Sequence, residues 1–308
     1  MFELPNSHVI QILGIDAEKV VNNLCTNDIK KLALNACCEA FVTNVRGWCV
    51  EHGFVLKTEG KIQLVGQFGN PAALCAHIDR YIVREDAKIS DLSESKSVFL
   101  MSAAEAELFS QQAGSSFVAP KNGAILPGEI ASLHVLAAAV HLLNVNDVLA
   151  ISDKSDARGV TQAASAAGLA TGSPEDFERR RIASFWPLAG REILEKSIPQ
   201  ELDRDHSAIS FTKGCYLGQE TIARLDAIGQ LQKKLCAVQI ETSQPVEPGA
   251  TLMKADQPVG QVTSAMVAES GRYVRALAYL RRGNFEPGLQ LTCNAAAAVV
   301  LSQPSAEK

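Results

Sequence analysis

The 308-residue sequence has no run of roughly twenty uninterrupted apolar residues, the length a membrane-spanning helix needs. Its longest apolar stretch, residues 131–145, is broken by Ser132, His134, His141 and Asn144, so no membrane partner is predicted. Basic excess is also missing. Twenty-nine Lys and Arg stand against 34 Asp and Glu, a net charge of −5, and no segment gathers enough cations to follow a phosphate backbone, which disfavours direct nucleic-acid binding. The opening MFELPNSHVIQILG has no basic region, no small-residue cleavage site and no Arg-rich amphipathic pattern, so the expected location is the cytoplasm. The eight cysteines form no C-x-x-C and are irregularly spread, unlike a secreted disulfide framework, so reduced thiols are expected. Cys25, Cys38, Cys49 and Cys75 sit in apolar surroundings and read as small buried hydrophobes. Cys37 and Cys38 are adjacent, which puts them on opposite faces of a strand, and they lack metal-ligand spacing. Internal repeats are absent, and the one tail-like segment is residues 302–308.

What is present is the material of a folded chain. Hydrophobic residues make up 47% and charged residues 20%, enough apolar surface to exclude wholesale disorder, and the length suits two domains or a body with an appendage. Short apolar runs at Val9–Leu13, between Phe41 and Leu56, and at Lys61–Val65 read as strands. A helix is predicted from an N-cap at Asp16 to about residues 26–28, and another from Asn70 with Pro71 in its first turn and Leu74, Ile78, Tyr81 and Ile82 as its apolar stripe. Strand Val98–Met101, helix Ala103–Gln112, strand Val148–Ile151 and helix Val160–Ala167 suggest an α+β unit of split βαβ type. After residue 232 the pattern becomes strands at Leu235–Ile240, Gly260–Ala265 and Tyr273–Leu280 between Pro and Gly turns, as in a small barrel or sandwich.

The segment from Ile198 to Leu231 carries the chemistry. Ser210–Phe211 reads as the end of a short strand, Thr212-Lys213-Gly214 as a tight turn, and Glu220–Ala227 as a helix that Gly229 ends. Cys215 then precedes a helix N-terminus with Lys213 two residues away, and both features favour a thiolate. The competing account packs Cys215 under the turn with Tyr216 and Leu217 as a structural thiol. Gly214 and Gly218 beside it allow a sharp turn or a close approach to a ligand. His134 and His141, seven apart on an apolar helical pattern, read as core or boundary histidines, with metal ligation as the minor alternative. His206 lies near the segment.

Lys213-Gly-Cys-Tyr-Leu-Gly-Gln-Glu220, followed by Ala223-Arg224, resembles the K-G-C-[FY]-x-G-Q-E signature of the YgfZ family, folate-binding relatives of the glycine-cleavage T-protein. Leu24-Cys25-Thr26-Asn27-Asp28 resembles the family's early L-x-T-N-D block, and Asn44-Val45-Arg46-Gly47 its D-x-x-G turn. Arg181-Ile182 with Trp186-Pro187-Leu188 resembles R-I-x-x-G-x-P, and Ile198–Glu201 resembles I-P-Q-E. The resemblance implies an α+β, three-subdomain, ring-like aminomethyltransferase-type fold, with a ferredoxin-like split βαβ subdomain and a small C-terminal β-barrel, around a central hole that holds tetrahydrofolate or a folate derivative. It divides the chain into a body of residues 1–231 (1–95 with 171–231, and 96–170), a barrel of 232–301 and a flexible tail of 302–308.

By the same resemblance Glu201, with Gln200 beside it, takes the position that holds the pteridine, where a carboxylate can accept two parallel N–H bonds. Phe177 matches an aromatic wall of the site, Arg181 offers a fork to the glutamate tail, and Asn27 and Asn44 complete the folate-binding set. Core packing for Phe177, a solvated basic face for Arg179 to Arg181, and a solvated loop carboxylate for Glu201 are the competing readings. The sequence departs from the pattern at Trp186, read as standing where Gly is usual, at Asn44 where Asp is usual, and at Arg191-Glu192 where T-proteins have Asp-Ile, so a reshaped pocket is expected. The implied function is assembly or repair of iron–sulfur clusters in selected enzymes, with tRNA modification supported indirectly. Cys215 and Lys213 are the reactive pair in this reading, and client enzymes or assembly proteins are transient partners. One thiol cannot stably hold a cluster that normally takes several cysteine ligands, so no resident metal cluster is expected. The alternative is a tetrahydrofolate-dependent aminomethyl transferase, against which Asn44 counts because it cannot titrate. A plain interaction module with a structural Cys215 is the third reading.

Overall fold

The computed structural model describes residues 1–111, 115–229 and 231–302. In chain order the first part contains β1 (Phe2–Glu3), β2 (Ser7–Leu13), α1 (Ala17–Leu24), β3 (Ala36–Thr43), β4 (Cys49–Thr58), β5 (Lys61–Gln67), α2 (Pro71–Asp79) and β6 (Lys88–Asp91). The next part contains β7 (Lys96–Met101), α3 (Ala103–Ser110), β8 (Ile125–Ile130), β9 (Leu133–Val140), β10 (Asp147–Asp153) and α4 (Ala157–Ala166). A connecting region holds α5 (Pro174–Ala183), a 3-10 turn at Pro199–Leu202, α6 (Asp205–Ala208) and α7 (Gln219–Ile228). The last part is β11 (Lys233–Ile240), β12 (Thr251–Lys254), β13 (Gln257–Val267), β14 (Val274–Arg281), β15 (Gln290–Cys293) and β16 (Ala296–Val300).

Two five-stranded antiparallel sheets, β3-β4-β5-β2-β6 and β1-β7-β10-β9-β8, lie face to face between outer helices. Strand alternation shows why. Ile10 and Ile12 of β2 pack with Val20, Val21 and Leu24 of α1 and Leu74 and Ile78 of α2, whereas Val9 turns to the other sheet. In the second sheet Phe99 and Met101 of β7 meet Phe109 of α3 and Val160 of α4, while Val98 and Leu100 join the shared inner core with Phe54, Leu56 and Val65. Both faces of each sheet are therefore covered, so the strands read as nearly continuous apolar runs. β1 pairs with β7, so the chain's first strand belongs to the second sheet. The six-stranded closed barrel β11-β14-β13-β12-β15-β16 joins the body through Phe41, Ile182, Phe185, Leu202, Leu235 and Leu277. The α+β class and the C-terminal barrel are as expected.

Three expectations are corrected. Residues 131–145 are not helical: Ala131 and Ser132, at φ +50° and +66°, make a tight hairpin turn, and β9 sends Val135 and Ala137 outward and Leu136 and Ala138 inward. His134 is consequently exposed and lies 3.2 Å from Glu129 across the β8–β9 pair, not in a core. Ser210–Phe211 is not strand either; it follows α6 as loop, with Ser210 N–H bonded to Thr26 O. The second predicted helix stops at Asp79, short of Tyr81 and Ile82. Helix α3 ends at Ser110; Gln112, its predicted end, and 303–308 of the predicted tail lie outside the described residues. Among the described residues no helix is long and apolar enough to cross a membrane.

Candidate functional site

The loop carrying Cys215 is fixed through its backbone by blocks distant in sequence. Lys213 Nζ donates to the carbonyls of Asn22, Cys25 and Asn27, each at 2.7 Å. Leu217 N–H bonds Asn23 O at 2.8 Å, and Thr43 Oγ1 donates to Leu217 O at 2.6 Å. Gln200 Nε2 reaches Ile222 O of α7 at 2.6 Å. Gly218 has φ +80°, and a Cβ there would lie 2.6 Å from Gly47 N, so the loop and the turn at residues 44–47 approach as only glycines allow. Three of the sequence blocks, at residues 24–28, 44–47 and 198–201, thus converge on the segment that carries the fourth.

That loop leaves the Cys215 thiol exposed, bordering a groove of about 430 Å³ with Val20, Leu24, Tyr81 and Leu217 as apolar wall and Lys19 and Glu85 as a charged edge. Burial pushes the thiols of Cys25, Cys37 and Cys236 up to about 12. Such groups stay protonated and inert at neutral pH. Among the described residues Cys215 is the one exposed thiol, while Cys38 and Cys75 are half-buried. Cys37 faces the core between the sheets and Cys38 the core under the helices, on opposite faces as expected.

The role expected of Lys213 is corrected by its direction. Its ammonium is turned inward onto three carbonyls and over the Tyr216 ring at 4.9 Å, so it braces the loop instead of acting on Cys215. Burial lowers its pKa to about 8, with repulsion from Lys30 adding to the shift.

The expected folate set is not brought to one place. Arg181 is fully buried and wholly engaged: its guanidinium donates to Glu178, to Glu192 Oε2 at 3.0 Å, to Ser264 Oγ at 2.9 Å and to Trp186 O at 2.7 Å. No fork remains for a glutamate tail. Asn27 Nδ2 donates to Glu39 O and Ser207 O, and Asn44 Oδ1 accepts from Arg46 and Trp48 N–H as a turn cap. Phe177 packs edge-on against Phe2 in the inner core. Glu201 is buried beside Ile198 N–H and Lys233, and burial raises its pKa despite the nearby Lys233. Gln200 Oε1 is buried without a partner.

The centre between the sheets is filled by Trp186. Its indole stacks on Phe54 at 5.2 Å and 10°, and meets His52 at 4.6 Å, which in turn stacks on Phe41 at 4.5 Å. The Arg204 guanidinium lies 5.0 Å over the indole and is clamped by Glu39, which also accepts from Ser207 Oγ at 2.9 Å and lies 2.8 Å from His52 Nε2. Only about 10 Å³ remains open there, far below the ~300–1,000 Å³ of a site for a ligand of this size. In this conformation the space beside Trp186 does not fit tetrahydrofolate. The glycine position of R-I-x-x-G-x-P is also corrected: the left-handed residue is Phe185, at φ +61°, and Trp186 is its successor.

Glu39, His52, Arg204 and Phe54 were missed as central residues. A signal existed for Glu39, because a carboxylate inside the apolar run of β3 demands a buried partner. Which residue supplies it depends on packing 165 positions away.

No family model matches the chain. The tRNA-modifying protein YgfZ of Colwellia psychrerythraea is 30% identical over 105 residues, 34% of this chain and 32% of that protein. The human mitochondrial iron–sulfur cluster assembly factor IBA57 is 42% identical over 59 residues, 18% of this chain and 17% of its own length. Over about a third of its length the chain is similar to YgfZ. A chloroplast protein of Arabidopsis thaliana named as a transferase is 35% identical over 106 residues, 34% of the chain and 24% of that protein. The YgfZ-like stretch thus spans about a quarter to a third of these longer matches' own length. In fold, the chain superposes on the glycine-cleavage aminomethyltransferase T of Bartonella henselae with a TM-score of 0.84 at 15% identity, over 98% of this chain and 85% of that one.

Proposed function

We propose that this YgfZ-like chain supports the assembly or repair of iron–sulfur clusters in selected enzymes, and tRNA modification through them, with Cys215 as the reacting thiol. The observation that carries the reading is the placement of Cys215: an exposed side chain on a backbone held by buried hydrogen bonds, beside a half-apolar groove. A rigid backbone with a free side chain is what a transient ligand needs. The thiol supplies one ligand to a cluster or iron species in transit, and the client's own cysteines then displace it. Client enzymes and assembly proteins are accordingly transient partners. The names of the YgfZ and IBA57 relatives, which concern tRNA modification and iron–sulfur cluster assembly, support the same reading.

Tetrahydrofolate has no step in this proposal, because the closed centre leaves no room for it in this conformation. The aminomethyl-transfer alternative rests on a fold likeness at 15% identity. The test is rescue of iron–sulfur enzyme activity in bacterial cells lacking their YgfZ protein, at matched expression. The wild-type chain and Cys75→Ala are expected to restore activity, and Cys215→Ala is expected to fail. Equal rescue by Cys215→Ala would remove the thiol from the function.

A further inference from the structure

We propose that Trp186 takes the place of a flat ligand ring, so that the molecule's central site is occupied by its own side chain and closed to pterin-class heterocycles. The surroundings of the indole are those of a heterocycle-binding site. One face lies parallel to Phe54, His52 stands close by, and a guanidinium held by a buried carboxylate lies over the ring. Stacking and cation–π contact of this kind recognise planar aromatic ligands. Here they are spent on an internal residue.

The indole is buried against Phe54, His52 and the Arg204 guanidinium, contacts it would lose by swinging aside, and the backbone on both sides of it is pinned. Trp186 N–H closes the end of α5 on Arg181 O at 3.1 Å, and Trp186 O accepts from Arg181 Nη1 at 2.7 Å. That arginine is itself fixed by Glu178, Glu192 and Ser264 of the barrel. Pro187 restricts Trp186 to extended backbone, and Phe185 before it is left-handed. The arginine cluster that joins body and barrel thus fixes where the indole is rooted, and its packing against Phe54, His52 and Arg204 fixes where it points. Open space begins just outside the closed centre: Leu4 also borders a cavity of about 580 Å³, and Phe54 one of about 300 Å³. Residues able to flank a ligand are present, but the ring's position is taken.

The experiment is calorimetric titration of the full chain and of Trp186→Gly with 5-formyltetrahydrofolate and, separately, with indole. The wild-type chain is expected to bind neither more tightly than ~1 mM, and Trp186→Gly to bind indole at least about tenfold more tightly than wild type, with a rise in its melting temperature on indole addition. Micromolar binding of 5-formyltetrahydrofolate by the wild type overturns the proposal. A folded Trp186→Gly that takes up neither compound overturns it as well. Should the glycine variant not fold, Trp186→Leu keeps an apolar filler and carries the same comparison with pterin as the smaller probe, while the wild-type titration stands by itself.

Discussion

At the centre of the molecule Trp186 leaves about 10 Å³ open and Arg181 and Arg204 are paired with carboxylates, whereas at the rim Cys215 is exposed and borders about 430 Å³. The two regions use polar groups for different ends. In the centre, side chains bond side chains: Arg204 to Glu39, Glu39 to His52 and Ser207, Arg181 to Glu178 and Glu192. At the rim, side chains bond backbone: Lys213 to three carbonyls, Thr43 to Leu217 O, Gln200 to Ile222 O. The first arrangement locks side chains and fills space. The second fixes the path of a loop and leaves the Cys215 side chain on it exposed.

The largest effect is expected at the centre. Glu39→Ala leaves the buried Arg204 without its counter-charge, a loss of about 3–5 kcal/mol in urea unfolding. If centre and rim are independent, the alkylation rate of Cys215 in the folded variant stays unchanged, and a changed rate would break the comparison. Burial pushes the Glu39 carboxyl up, but the charge and hydrogen bonds of Arg204, with those of His52, outweigh it and hold the group well below the usual carboxylate range. Its folded pKa is thus below its unfolded one, so its contribution is complete above the ordinary carboxylate pKa and is lost as pH falls. Glu39→Gln should flatten the acid limb of the stability curve.

Next is Lys213→Met, which leaves three buried carbonyls without their donor and should cost about 2–3 kcal/mol. Its pH dependence has the same sense in a higher window, but reflects a cost relieved and not a contribution lost. Burial lowers the folded pKa to about 8, below the unfolded value of roughly 10.4, so the cost of burying the charge is fully present below pH 8 and is relieved as pH rises towards 10. The stability of the wild type relative to the variant should therefore rise over that window. A flat difference would place the ammonium in water instead of under the loop. Thr43→Val comes third, losing one hydrogen bond to Leu217 O for about 1 kcal/mol in the same unfolding measurement.

How much of this was legible in the sequence varies with the kind of signal. The α+β body, the C-terminal barrel and the Cys215 turn followed from local features: strand-length apolar runs, Asn70-Pro71 at a helix start, and Gly229 at a helix end. Strands β9, β12, β15 and β16 were missed because their hairpins turn without glycine or proline, at Ala131-Ser132, Ala255-Asp256 and Asn294-Ala295, all with positive φ. The helical reading of His134 failed for the same reason, since strand register places it exposed opposite Glu129, whereas His141 is half-buried as a boundary residue. For the site, the motif blocks named the residues that converge on the loop, but not what each one does there. Lys213 looked like an electrostatic partner because it is near Cys215 in sequence, yet its side-chain direction is set by carbonyls some 190 positions away. Arg179 to Arg181 read as a solvated basic face, yet of the three the helix buries only Arg181, against Ser264 of the barrel, while half-buried Arg179 reaches Val267 O.

The smallest stability effect is expected at the residue with the largest functional one. Cys215→Ser removes an exposed sulfur from a loop whose hydrogen bonds all lie elsewhere, so unfolding should shift by no more than about 0.5 kcal/mol. In the cellular rescue the same variant should behave as Cys215→Ala does and fail. Serine keeps size and polarity but supplies no thiolate, so equal stability with lost rescue separates chemistry from packing. Lost stability with lost rescue would return Cys215 to the structural account, and the contrast between a filled centre and a free rim would then reduce to two differently packed parts of one core.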